Sequence, residues 1–102
     1  MKKIEEIRHQ LQSGQFDFSR HAFRRAVERN ISEQDIIEVG ENVRIIEDYP
    51  EDKYSPSCLL LGFNRLGKAL HIQVSCQESE KVKIITIYEP DLNQWINYSQ
   101  RR

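Results

Sequence analysis

Apolar residues recur with a helical period along the first forty positions and with a period of two from about residue 43 onward. Ile4, Ile7 and Leu11 predict a helix over 2–13, with Gly14 as its stop. Ser19 is placed to cap a second helix that ends at Asn30, with Ile31 turning into the core. Ser32-Glu33-Gln34-Asp35 reads as a capping box with Asp35 where Glu is usual, and it opens a third helix through Ile36, Ile37 and Val39 to Gly40. The alternating segments predict strands at Val43–Tyr49, Ser57–Asn64, Ala69–Cys76 and Val82–Glu89. Arg65-Leu66-Gly67-Lys68 and Gln77–Lys81 read as hairpin turns, and 50–56 as a polar loop with proline at each end. Pro90 closes the last strand, and 91–98 predicts a short terminal helix that holds Trp95. The expected architecture is α+β, with two or three helices packed on one face of a roughly four-stranded antiparallel sheet.

The second helix carries the densest chemistry. At 100° per residue, His21, Arg25 and Arg29 climb one side, and Ala22, Phe23, Ala26 and Val27 are expected to pack against the core from the other. An imidazole exchanges protons near neutral pH, and a guanidinium matches phosphate geometry. Residues 20–29 contain four arginines, including Arg24, against a single acid. The simpler alternative is a solvated helix face whose arginines pair with Glu28 and with acids of the next helix.

The strands offer a second centre. In Ala69–Cys76, Leu70, Ile72, Val74 and Cys76 face one way, toward the expected helices, while His71, Gln73 and Ser75 face the other. Thr86 and Tyr88 share a face of the last strand and lie near His71 if the two strands pair in a suitable register. His71 as an ordinary half-exposed sheet residue is the plain alternative. His9 reads as solvated.

Composition limits what the chain can be. At 102 residues it is long enough for one domain with one core, 38% hydrophobic and 30% charged, without repeats or low-complexity tracts. The net charge of -1 excludes a polycation, so any nucleic-acid contact must come from a local patch. No apolar run reaches membrane-spanning length, and the N-terminus lacks a signal-peptide core. Cys58 and Cys76 sit singly in apolar strand patterns, as small buried residues do. A cytoplasmic chain without disulfides is expected.

The pattern His21-Ala22, Arg25, Glu28-Arg29, Ile31-Ser32, Asp35-Ile36 is similar to the opening of a bacterial family catalogued as domain of unknown function 4258. Leu70-His71-Ile72-Gln73-Val74 and Ile85-Thr86-Ile87-Tyr88-Glu89-Pro90-Asp91 with Trp95 resemble the rest of its signature. The resemblance covers about residues 18–96 and leaves the N-terminal helix, 1–15, outside it. It implies the RelE-like toxin fold, related to MqsR-like proteins, in which one sheet face holds RNA. It also implies a partner, an antitoxin of the zinc-finger, helix-turn-helix type. Asn30 stands where the family often has Gly, and both tolerate left-handed backbone.

The function expected from these readings together is a metal-independent endoribonuclease, the mRNA-cleaving toxin of a toxin–antitoxin pair, acting on single-stranded RNA. His21 or His71, with Tyr88, would move protons; Arg25 and Arg29, with Arg24, Gln73 and Thr86, would hold the phosphate. Tyr88 has a second candidate role, stacking on a base. No cofactor is expected, and no carboxylate–histidine cluster at ligand spacing points to a metal. The alternatives are a non-catalytic RNA- or protein-binding module, or a protein whose arginine face docks on an acidic partner.

Overall fold

Three helices open the chain and a sheet closes it, as the change of period predicts. The computed structural model describes residues 1–102. Helix α1 is Ile4–Gln12, α2 Arg20–Glu28 and α3 Glu33–Gly40. The strands are β1 (Phe16–Phe18), β2 (Arg44–Tyr49), β3 (Ser57–Phe63), β4 (Ala69–Ser75), β5 (Val82–Tyr88), β6 (Trp95–Ile96) and β7 (Gln100–Arg101). No helix is long and apolar enough to cross a membrane.

The helix ends follow local chemistry. The Ser19 hydroxyl accepts from the Ala22 amide at 3.0 Å, and Ser32 and Asp35 form the reciprocal capping box. Asn30 takes a left-handed φ of 55°, which lets the Ile31 amide return to the Ala26 carbonyl at 2.9 Å and close α2. Gly14, at φ 72°, lets Gln15 close α1 on the Gln10 carbonyl.

The main sheet runs β1-β5-β4-β3-β2. It differs from expectation in two ways. Phe16–Phe18, too short to show a period, forms an additional strand parallel to β5, so the sheet is mixed and five-stranded. The segment expected as a terminal helix makes only one turn and then the β6–β7 hairpin. The Asp91 side chain accepts from the Asn93 amide, a local bond that competes with helix, and Asn97 and Tyr98 both adopt positive φ.

Leu70, Ile72, Val74 and Cys76 of the β4 segment join Cys58, Leu60, Val82, Ile84 and Ile87 on the helix side of the sheet. Ile7, Leu11, Ala22, Ala26, Ile36 and Val39 cover them from the helices. The α1–α3 approach depends on Gly40: a Cβ there would lie 2.7 Å from Leu11 Cβ and 2.9 Å from the Gln12 amide nitrogen. Cys58 and Cys76 are buried and unbridged, and burial pushes the Cys58 thiol up.

Phe23 and Val27 do not enter this core, contrary to the expectation from the helical wheel. They are 59% and 62% exposed. Helix α2 lies against β5 through the small residues Ala22 and Ala26, which permit close approach and turn the larger pair outward. Phe23 packs edge-on against Phe18, with centroids 6.0 Å apart.

Candidate functional site

The site lies where the outer edge of β5 meets the sheet face opposite the core. Parallel pairing with β1 stops at Ile84, and the chain that forms β1 continues into α2. Beyond that point the outer edge of β5 is bordered by α2 instead of another strand. Ser19 occupies the start of this edge, its hydroxyl donating to the Ile85 carbonyl at 3.0 Å. Arg29 occupies the end: its Nη1 donates to the Ile87 carbonyl at 3.0 Å. The guanidinium is thereby anchored on the carbonyl that precedes Tyr88 in the chain, while its other donors remain available.

Pairing of β4 with β5 places His71 opposite Tyr88 and Gln73 opposite Thr86. A shift between Gln73 and Val74 inserts Ile85 as an extra residue in β5. It allows Ile84 and Ile87 to stay in the core while Thr86 and Tyr88 remain on the open face. The register, which the residue pattern alone does not decide, thus brings His71, Gln73, Thr86 and Tyr88 together.

His71 is fully buried, although it lies on the face away from the main core. The β6–β7 hairpin covers it. The Trp95 ring meets the imidazole edge-on at 4.5 Å between centroids, and His71 Nε2 lies 2.6 Å from the Tyr98 carbonyl oxygen. A carbonyl only accepts, so Nε2 carries the proton. Nδ1 then accepts from the Tyr88 hydroxyl at 3.1 Å. Burial lowers the His71 pKa, against the Tyr98 carbonyl and the Glu47 carboxylate, which favour the cation. Burial likewise raises that of Tyr88, with the charges of Arg101 and Arg29 opposing. A neutral imidazole therefore stands behind a protonated phenol.

The cover is fastened by charge. Arg101 Nε and Nη2 reach the two Glu47 carboxylate oxygens at 2.8 and 3.0 Å, and its guanidinium lies 4.6 Å from the Trp95 ring centroid. Tyr49 also donates to Glu47. The hydrogen-bonded Arg101 holds the Glu47 carboxyl below the usual carboxylate range despite partial burial.

The other expected residues are distributed more widely. His21 is exposed and lies two helical turns before Arg29, about 12 Å along the axis. Arg25, partly exposed, pairs with Glu28 at 3.4 Å, a surface ion pair of small energetic weight. Arg24 lines the outer side of α2 with Arg20, Phe23, Val27 and Glu28, away from Arg29. Thus strand pairing gathers Tyr88, His71, Thr86 and Gln73 on one face, Arg29 is held at the adjoining Ile87 carbonyl, and His21 and Arg24 stand apart. No three His, Cys, Asp or Glu side chains converge as metal ligands. Sequence reasoning missed Glu47 and Arg101, whose partnership spans 54 residues; nothing local in the sequence signals it.

Residues 18–89 match the family model described as Domain of unknown function (DUF4258), which covers more than half of the chain, and the chain belongs to that family. No curated protein and no solved structure matches it.

Proposed function

We propose that this DUF4258 protein is a metal-independent endoribonuclease that acts on single-stranded RNA as the toxin of a toxin–antitoxin pair. The observation that carries this reading is the Tyr88 hydroxyl on His71 Nδ1, with Arg29 anchored on the adjacent Ile87 carbonyl. A guanidinium held on a backbone carbonyl, a partly exposed phenol and a buried neutral imidazole suit a phosphodiester whose ribose supplies the nucleophile.

In the reaction, the ribose 2′-hydroxyl passes its proton to Tyr88 Oη as the Tyr88 proton moves to His71 Nδ1. The 2′-oxygen bonds to phosphorus, and the bond to the 5′-oxygen breaks. Arg29 stabilises the charge that builds on the phosphoryl oxygens. Glu47 favours the imidazolium that forms, and Nε2–H stays on the Tyr98 carbonyl. The leaving 5′-oxygen takes a proton from solvent, giving a 2′,3′-cyclic phosphate and a 5′-hydroxyl. Arg25 and His21 would contact the strand farther along α2. His71 acts through Tyr88 and is a positioning and proton-accepting residue behind the reacting groups.

A second reading has its own support. The β6–β7 hairpin seals His71 and suits a module that binds RNA without cutting it. Both readings predict binding that weakens steeply with salt. Fluorescence anisotropy with a labelled single-stranded RNA measures it. Arg29→Ala should lower the slope of log K against log salt by about 0.7, the share of one neutralised phosphate on a single strand. Tyr88→Phe separates the readings: it should keep binding and abolish cleavage if the protein is a nuclease. Expression should arrest bacterial growth, and Tyr88→Phe should relieve it. A protein that neither binds nor cleaves single-stranded RNA refutes both readings.

A further inference from the structure

A cleft of about 370 Å³ opens on the same sheet face, between the β2–β3 loop and the first half of β5. Its walls include Asp52, Tyr54, Ser55, Ser75, Lys83 and Ile85. The volume lies within the range of small-molecule pockets, and most of the residues that line it are polar.

The polar groups are arranged by bonds within the protein. Asp52 Oδ2 accepts from the Ser57 hydroxyl at 2.6 Å and from the Gln73 amide at 3.4 Å. Those contacts orient the carboxylate and leave Oδ1 as an acceptor. Ser55 and Ser75 share a hydrogen bond of 3.1 Å across the floor. Lys83 brings donors from β5, two strands away from the loop that carries Asp52. Tyr54 stands at the rim with 89% of its surface exposed; its only aromatic or cationic neighbour is Lys53, with Nζ 5.7 Å from the ring centroid. Such an aromatic offers a stacking platform.

An acceptor facing a cation across a cleft, with an aromatic at the rim, selects a flat ligand with donors on one edge and acceptors on another. Every nucleobase has both, but guanine alone presents two adjacent N–H donors, N1 and N2, that can converge on the one free oxygen, Asp52 Oδ1, while O6 and N7 remain for a lysine. Ile85 is three residues from Tyr88 along β5, about 10 Å in extended chain, so a base here would belong to a nucleotide near the scissile phosphate.

We propose that this cleft is a nucleobase pocket that takes guanine and so sets the RNA sequence the protein prefers. The proposal rests on the RNA reading above, yet its test is independent of cleavage. Isotope-labelled protein is titrated with the 5′-monophosphates of guanosine, adenosine, cytidine and uridine, and with inorganic phosphate, while backbone amide resonances are followed. Guanosine monophosphate should shift Ser55, Ser75 and Lys83 and bind at least about five-fold more tightly than the other three. Tyr54→Ala, at a freely exposed position, should weaken it at least about five-fold by removing the stacking platform. Asp52→Asn keeps an oxygen for Ser57 and Gln73 but replaces the free acceptor with a donor, and it should abolish the guanine preference.

Equal binding of all four nucleotides overturns the proposal, as does the same response to phosphate alone. Shifts confined to Arg29 and Tyr88 overturn the pocket and leave the RNA reading standing. Guanosine monophosphate seated in the cleft of a protein that neither binds nor cuts RNA supports the pocket and refutes the RNA reading.

Discussion

Stability should depend on pH through one residue, His71. Its ordinary value is 6.5, and burial lowers it in the folded protein. As pH falls below 6.5 the unfolded chain takes up a proton that the folded protein still refuses. Stability from this group is therefore complete above pH 6.5 and declines as pH falls toward the folded value. The steepest slope for one group is about 1.4 kcal/mol per pH unit. Between pH 6.5 and 5 the loss is thus at most about 2 kcal/mol, which in a domain of this size lowers Tm by up to about 8–16 °C. The carboxylates with depressed values, Glu47, Glu38 and Asp35, have ordinary values of 4.5, 4.5 and 3.8. Their contribution is retained above those values and lost only as pH falls further, so the window from 5 to 6.5 isolates His71. Thermal unfolding followed by circular dichroism across this window reads the effect. His71→Gln should lower stability by about 1–3 kcal/mol, because the shorter amide cannot satisfy both the Tyr88 hydroxyl and the Tyr98 carbonyl. It should also flatten the profile. A wild-type Tm that does not change between pH 6.5 and 5, or a His71→Gln profile with the wild-type slope, would refute the buried neutral imidazole.

Other substitutions probe the cover and the frame. Arg101→Ala removes the bidentate contact with Glu47; with the arginine exposed and the carboxylate partly buried, it should cost about 1 kcal/mol. It should also shift the fluorescence of Trp95, the single tryptophan, to the red as water reaches the ring. Gly40→Ala should destabilise by about 1–3 kcal/mol in denaturant titrations, since its Cβ would meet Leu11 and the α1 backbone. Ser32→Ala removes one half of the capping box and should cost about 1 kcal/mol by the same measurement.

Much of this organisation is legible in the sequence because it rests on local chemistry. The caps at Ser19 and Ser32 and the left-handed Asn30 depend on residues within one turn of each other. The in-out alternation of β4 follows from the pleat. Strand β1 is hidden because three residues carry no usable period, and its parallel partner lies 66 positions away in the register, Phe16 against Val82. The roll of α2 is hidden too: Ala22 and Ala26 are compatible with burial on either flank, and only the packing on β5 decides between the arginines and Phe23 with Val27. The alternation of β4 makes His71 look half-exposed, because nothing local reveals that the chain from Trp95 onward folds back over it. The same return buries His71 behind the partly exposed Tyr88.

The most direct test combines purified protein, a single-stranded RNA and a chelator, with analysis of the product ends. Cleavage should persist in the chelator, leave 2′,3′-cyclic phosphate and 5′-hydroxyl termini, and disappear in Tyr88→Phe while binding remains. Intact RNA after prolonged incubation, or cleavage unaffected by Tyr88→Phe, would contradict the role assigned to the Arg29–Tyr88–His71 centre.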